Sequence, residues 1–169
     1  TVKVDGIDVV ESPHDVRARI GYLPDMPPLY GDMTVRAYLH FAARLRGMSY
    51  ADADKRVPEV IETTALEDVR DQLISSRSHG FKQRVGIAQA IVHKPRLLVL
   101  DEPISVLDPK QIVEIRELLR SLKGDHTILL SSHILSEISE TCDRILVIRD
   151  GQIAASGTEA ELSAKLLRQ

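Results

Sequence analysis

The 169 residues carry a formal net charge of −3, with 43% hydrophobic and 28% charged side chains, the make-up of a globular chain able to bury one sizeable core. That charge gives no electrostatic reason to expect a nucleic-acid partner, no apolar run approaches the roughly 18 residues that span a bilayer, and the opening residues lack a signal-peptide pattern. A lone cysteine, Cys142, excludes an internal disulfide and a CxxC metal site and suits a reducing cytosol.

Val2 and Val4 alternate with polar residues before Asp5-Gly6, which predicts a strand and a tight turn. "RIGYLPDMPPLYGDMT" reads as a short strand followed by a proline-rich loop. Thr34 is placed to cap a helix whose apolar face holds Val35, Leu39, Ala42 and Leu45. Ser49 starts a second helical stretch, which Pro58 should kink or restart. A further helix runs through Val85, Ala88, Ile91 and Val92 and stops before Pro95. Leu97–Leu100 is an apolar strand, and Asp108-Pro109 supplies the N-cap and first position of the helix after it. "TILLSS" is a second apolar strand, followed by the helix "ILSEISETC". "RILVIRDGQIAAS" reads as two strands about an Asp-Gly turn, and Thr158 with Glu161 as a capping box for the last helix. Apolar strands alternating with helices predict an α/β fold, with a mostly parallel sheet covered on both faces. The stretch 29–93 reads as an all-helical insertion.

In open α/β sheets ligands bind beyond the carboxyl ends of the strands. Asp101 and Glu102 follow Leu97–Leu100 at such an end, and "TILLSS" delivers His133 towards what should be the same edge. Two acids and a histidine there could hold Mg²⁺, orient a water and contact a terminal phosphate. The plainer alternative is that the acids cap a turn before Pro103 and that His133 caps a helix. Ser78, His79 and Gly80 open a helix, whose N-terminus offers N–H groups and a positive dipole end to an anion. Ser78 is equally a plausible N-cap.

"LLVLDEP" resembles the Walker B motif of ATP-binding cassette (ABC) proteins, and "SVLDP" resembles their D-loop. "SHGFKQRVGIAQAIVHKP" is similar to the signature motif and its helix, "LLSSH" to the H-loop, and "RIGYLPDMPPLY" to the Q-loop region. "GYLP…PLY" most resembles the ATPases of ABC-2-type exporters. The resemblance implies a P-loop NTPase-like sheet, with a partial RecA-like core over 1–28 and 94–169 and a helical subdomain over 29–93 that docks on membrane subunits. It implies an ATPase that uses ATP and Mg²⁺, works as a homo- or heterodimer with transmembrane permease subunits, and sits in the cytoplasm at the inner face of the membrane. By the same resemblance Glu102 is the general base, Asp101 and Asp25 serve Mg²⁺, and His133 contacts the γ-phosphate. Ser78, His79 and Gly80 would then hold the opposite subunit's ATP, and Asp108 would lie at the dimer interface.

The chain departs from that pattern at several positions. Asp25 stands where the family usually has glutamine, Arg77 replaces the signature leucine, and Ile104 and Val106 replace small or polar residues after Walker B. His79 has no second ligand at helical spacing and does not read as a metal site; nor do His14, His40, His93 or His126. No GxxxxGK[ST] phosphate loop occurs in the 169 residues. The chain therefore reads as truncated ahead of Thr1, and as inactive alone. The alternative is a non-catalytic module that lends its signature motif to a partner owning a P-loop. Without a P-loop strand, the faces of Leu97–Leu100 and Ile128–Leu130 should lose cover.

Overall fold

A computed structural model describes residues 1–76 and 78–166, which fall into two compact units, Thr1–Ser131 and Ser132–Gln169. The first unit opens with an antiparallel pair, β1 (Lys3–Val4) and β2 (Ile7–Asp8). Asp5 and Gly6 join them with φ of 52° and 78°, the two positive dihedrals that a tight hairpin turn requires and that Asp-Gly tolerates. A short helix not anticipated from the sequence, α1 (Pro13–Arg19), comes next; it buries only Val16, so its apolar periodicity is too sparse to read.

The centre of the unit is a three-stranded parallel sheet in the order β3 (Ile20–Leu23), β4 (Leu97–Asp101), β5 (Thr127–Ser131). Leu23, Leu98 and Leu100 point to one side and are buried with the apolar residues of the helices in a single cluster. Tyr22, Val99 and Leu129 share the other face, where Tyr22 and Leu129 remain 46% and 52% exposed. The strand pattern predicts cover on both faces, and the lack of a P-loop strand predicts lost cover at Leu97–Leu100 and Ile128–Leu130. Leu98 and Leu100 are buried, and the opposite face is the one that is not fully covered. The buried side chains of the helices join Leu98 and Leu100, which leaves the Tyr22–Val99–Leu129 row half open.

Between β3 and β4 lie α2 (Val35–Leu45), α3 (Tyr50–Thr63), two single 3₁₀ turns, and α4 (His79–Ile91). Thr34 caps α2 by accepting from the Ala37 N–H at 3.2 Å. The buried stripe is Val35, Tyr38, Leu39, Ala42 and Ala43, an i, i+3, i+4, i+7, i+8 face. Leu45, expected on it, falls one step around the helix and is 71% exposed. Ser49 caps α3 by accepting from the Asp52 N–H at 3.1 Å. The helix runs unbroken through Pro58. Pro58 and the carbonyl it leaves unpaired, that of Asp54, both lie on the exposed face, where water can satisfy the orphan acceptor, while Ala53, Val57, Val60 and Ile61 bury the other face.

α4 is enclosed almost all round, with Gln83, Val85, Ile87, Ala88, Ala90 and Ile91 fully buried. It lies directly on β3 because two glycines remove the side chains between them. A methyl on Gly21 would collide with the Ala90 carbonyl oxygen and the Pro95 ring, and one on Gly86 with Leu23. The Arg56 guanidinium of α3 donates to the Ile91 and Val92 carbonyls, each at 3.2 Å, placing a cation on the last orphan acceptors of α4. After β4, α5 (Pro109–Ser121) returns along the core through Ile115, Leu118 and Leu119.

The second unit holds α6 (Leu135–Thr141), the antiparallel hairpin β6 (Ile145–Arg149) and β7 (Gln152–Gly157), and α7 (Glu159–Leu166). Asp150 and Gly151 turn the hairpin at φ 53° and 73°. The Thr158 N–H donates to Glu161 Oε2 at 2.9 Å and the Glu161 N–H to Thr158 Oγ1 at 3.3 Å, a reciprocal capping box.

His93, just past α4, donates from Nε2 to the Ile20 carbonyl at 3.2 Å, while its buried Nδ1 has no partner. Burial first, then the Arg46 charge and the nearby His126, pull its pKa down to about 4 against a bond to Ile20 that favours the charged ring. The unfolded chain binds a proton near 6.5 that the folded chain refuses until about 4, so this site's contribution is whole above 6.5 and is lost as pH falls from 6.5 towards 4. Melting temperature measured against pH should decline across that window, and His93→Gln should flatten the decline. Gly21→Ala meets backbone rather than a movable side chain, and chemical denaturation should register a loss of about 3 kcal/mol or more, or failure to fold.

Candidate functional site

Asp101 ends β4 opposite Ser131 on β5. Ser131 Oγ donates to Asp101 Oδ1 at 2.6 Å, and the Glu102 N–H donates to the Ser131 carbonyl at 3.2 Å and to its Oγ at 3.3 Å. Both carboxylates are half-buried, so the strand pairing fixes the backbone that carries them. The chain then turns sharply: Glu102 has φ 48°, and the Ser105 N–H donates back to the Glu102 carbonyl at 3.2 Å. Glu102 therefore opens a turn through its backbone carbonyl, and the two acids sit in succession at the carboxyl end of the central strand. A carboxylate with one oxygen fixed by a hydroxyl suits Mg²⁺, which keeps several waters and takes one or two protein carboxylates.

Ile104, where the sequence resemblance expects a small polar residue, is buried in the core. Val106 is 86% exposed and sits at φ 60°, the left-handed region that strains a β-branched side chain. Asp108 follows as the N-cap of α5, its Oδ1 accepting from the Gln111 N–H at 2.9 Å.

The N-terminus of α4 lies against the first turn of α5. Ser78 Oγ accepts from the Phe81 N–H at 3.4 Å and so caps the helix. Ser78 and His79 are exposed, while Gly80 is buried under the Gln111 side chain, which a methyl on Gly80 would meet at 2.5 Å. An ion pair between Arg84 of α4 and Glu114 of α5 continues the contact one turn on. Gln111 thus touches both ends, its side chain lying on Gly80 and its N–H on the Asp108 carboxylate. Arg77 lies outside the described residues.

Asp25 is exposed in the loop after β3, and its carbonyl accepts from Gln83 Nε2 of α4 at 3.4 Å. His133 is exposed and belongs to the second unit, two residues beyond the end of β5. Among the described residues no three His, Cys, Asp or Glu side chains are grouped to hold a metal ion. Three contributors escaped the sequence reading: Ser131, Gln111 and Gln83. Ser131 was readable as the hydroxyl ending "TILLS". The two glutamines have no local signature, because their roles depend on what folds against them.

A separate concavity of about 230 Å³ opens beside this loop, lined in part by Tyr30, Tyr38, Phe41, Leu45 and Gln89. Tyr30 stacks edge-on against Tyr38 and Phe41 at 6.1 and 5.5 Å. The Tyr38 hydroxyl donates to Gln89 Oε1 at 3.0 Å, and burial, then Tyr30, raises its pKa to about 12. Tyr30 itself is 53% exposed.

The sequence profile of the family described as "ABC transporter" matches residues 1–105. The "uncharacterized ABC transporter ATP-binding protein YxlF" of Bacillus subtilis is 39% identical over 146 residues, 86% of this chain and 50% of that protein. The "daunorubicin/doxorubicin resistance ATP-binding protein DrrA" of Streptomyces peucetius is 37% identical over 167 residues, 98% of this chain and 51% of that protein. Among solved structures, cbiO1 of Clostridium perfringens, described as part of the ABC transporter complex cbiONQ, superposes with a TM-score of 0.87 at 27% identity, covering 97% of this chain and 68% of that one. The chain spans about half the length of the curated relatives it matches.

At Val106, glycine relieves the left-handed strain and loses no buried contact. Val106→Gly should raise the urea midpoint by the equivalent of about 1 kcal/mol, after allowance for the extra freedom of glycine in the unfolded chain.

Proposed function

Because this chain belongs to the ABC transporter family and has the P-loop NTPase-like α/β fold of its ATP-binding subunits, we propose that it supplies the signature, Walker B and H-loop parts of an ATPase that drives a membrane exporter. The observation that carries this reading is the adjacent pair Asp101–Glu102, held at the carboxyl end of β4 by Ser131. Glu102 would accept a proton from the attacking water, and Asp101, with Asp25, would hold Mg²⁺ through its water shell. Bound there, Mg²⁺ would neutralise charge on the phosphates. His133 would contact the γ-phosphate. Ser78, His79 and Gly80, at the start of α4, would direct N–H groups and a positive dipole end at the γ-phosphate bound by the opposite subunit. Asp108, one Gln111 side chain away from Gly80, would lie at that dimer interface.

Segment 29–93 would be the helical subdomain, standing against a core of 1–28 and 94–169. Its Tyr30–Tyr38–Phe41 concavity would seat a short cytoplasmic segment of a permease subunit, an apolar and aromatic surface beside the loop that carries Asp25. DrrA, named for drug resistance, supports export as the direction. No helix among the described residues is long and apolar enough to cross a membrane, which accords with a subunit held at the inner face by its partners.

A second reading is a non-catalytic module that lends its signature motif to a partner; the 169 residues, which hold no GxxxxGK[ST], accord with either reading. Calorimetric titration with Mg-ATP separates the two. The 169 residues alone should bind weakly and hydrolyse negligibly. The same residues fused to a strand–GxxxxGK[ST]–helix segment should bind at least about tenfold more tightly and turn ATP over. Glu102→Gln in the fusion should keep binding and lose about 10²- to 10⁴-fold in turnover. A fusion that binds Mg-ATP but hydrolyses none would favour the module.

A further inference from the structure

Gln83 is a fully buried polar side chain in the most enclosed helix of the protein. Its Nε2 donates to the Asp25 carbonyl at 3.4 Å, and its Oε1 is buried without a partner. The reverse assignment of the amide would set oxygen against oxygen at Asp25, so the contact fixes which end faces the loop. An unpaired buried carbonyl is a standing cost, and an apolar residue of like volume at this position would remove it. One turn further along α4, Gly86 lets the Leu23 and Pro27 side chains lie on the helix. The loop that carries Asp25 is thus laid along α4 by packing at Leu23 and Pro27, and between those two points Gln83 is the polar tie to its backbone.

We infer that Gln83 is a positioning residue: it fixes the backbone at Asp25 relative to α4, and so sets the exposed Asp25 carboxylate in register with Ser78–Gly80 at the start of that helix. This deepens the nucleotide reading above and rests on it for its purpose. Asp25 is there the Mg²⁺-side residue of this chain's own site and Ser78–Gly80 serve the phosphate held by the opposite subunit, so the tie links the two sites through α4. The tie itself acts on backbone geometry and is measurable without nucleotide.

The experiment is ¹⁵N relaxation on the whole chain for wild type, Gln83→Leu and Gln83→Met, with thermal melts alongside. The unbranched Met variant guards against a Leu side chain that fails to pack. In wild type the amides of Asp25 and Met26 should show order parameters near 0.85, falling towards 0.6 in both variants. The melting temperature should hold or rise, because the unpaired carbonyl has gone. A merely structural role would lower the melting temperature and leave the loop as rigid as before. Unchanged order parameters at Asp25 and Met26 in a folded variant overturn the inference. Mg-ATP titration of the P-loop fusion tests the other layer: loosened amides in the variants, with no nucleotide binding by the wild-type fusion, would uphold the tie and remove the nucleotide reading.

Discussion

Everything in the first unit depends on how closely α4 can approach β3. A helix and a strand normally stand apart by the depth of their side chains. Here Gly21 on the strand and Gly86 on the helix remove that spacer, so backbone meets backbone and side chain across the contact. The consequence reaches in both directions along α4. At its C-terminal end, the Arg56 guanidinium finds the Ile91 and Val92 carbonyls, and His93 reaches the Ile20 carbonyl at the start of the strand. At its N-terminal end, Gly80 comes under Gln111 and Arg84 meets Glu114, which brings the start of α4 to the start of α5. One close contact thus aligns the helix with the sheet and with the turn that follows the two carboxylates.

The elements legible in the sequence are those fixed by neighbours a few residues away. Thr34, Ser49, Ser78 and Asp108 cap the helices they were read as capping, because a hydroxyl or carboxylate needs only the N–H three residues on. The Asp5-Gly6 and Asp150-Gly151 turns are local for the same reason. What could not be read depends on tertiary packing. The row Tyr22–Val99–Leu129 has the period of any buried strand face, and lost cover on these strands was legible only from the lack of a P-loop strand, which does not say which of the two faces stays open. Leu45 reads as core and is not, because the stripe that packs is narrower than the apolar pattern. Pro58 reads as a break, yet its missing donor faces water. In the candidate site the charged residues announce themselves, whereas Gln83 and Gln111 look like any surface amides until the helices close over them.

The segment after β4 combines strain with burial. Glu102 and Val106 both hold positive φ, and between them Ile104 is driven into the core. The buried isoleucine anchors the loop, so the two unfavourable backbone conformations on either side of it persist. The geometry of the carboxylate pair is therefore maintained by an apolar side chain buried in the core.

The parallel pairing of β3 with β4 sets Ile20 beside Leu97, with α2, α3 and α4 in between. Closing so long a loop is entropically unfavourable until the helices have condensed. The expected order of assembly is that α4 and its neighbours form first and offer an apolar surface, on which β3 is laid down and then zipped to β4. β5 follows more readily, since only α5 separates it from β4. Native contacts of β3 should thus be absent from the folding transition state, and substitutions there should act mainly on how fast the protein unfolds.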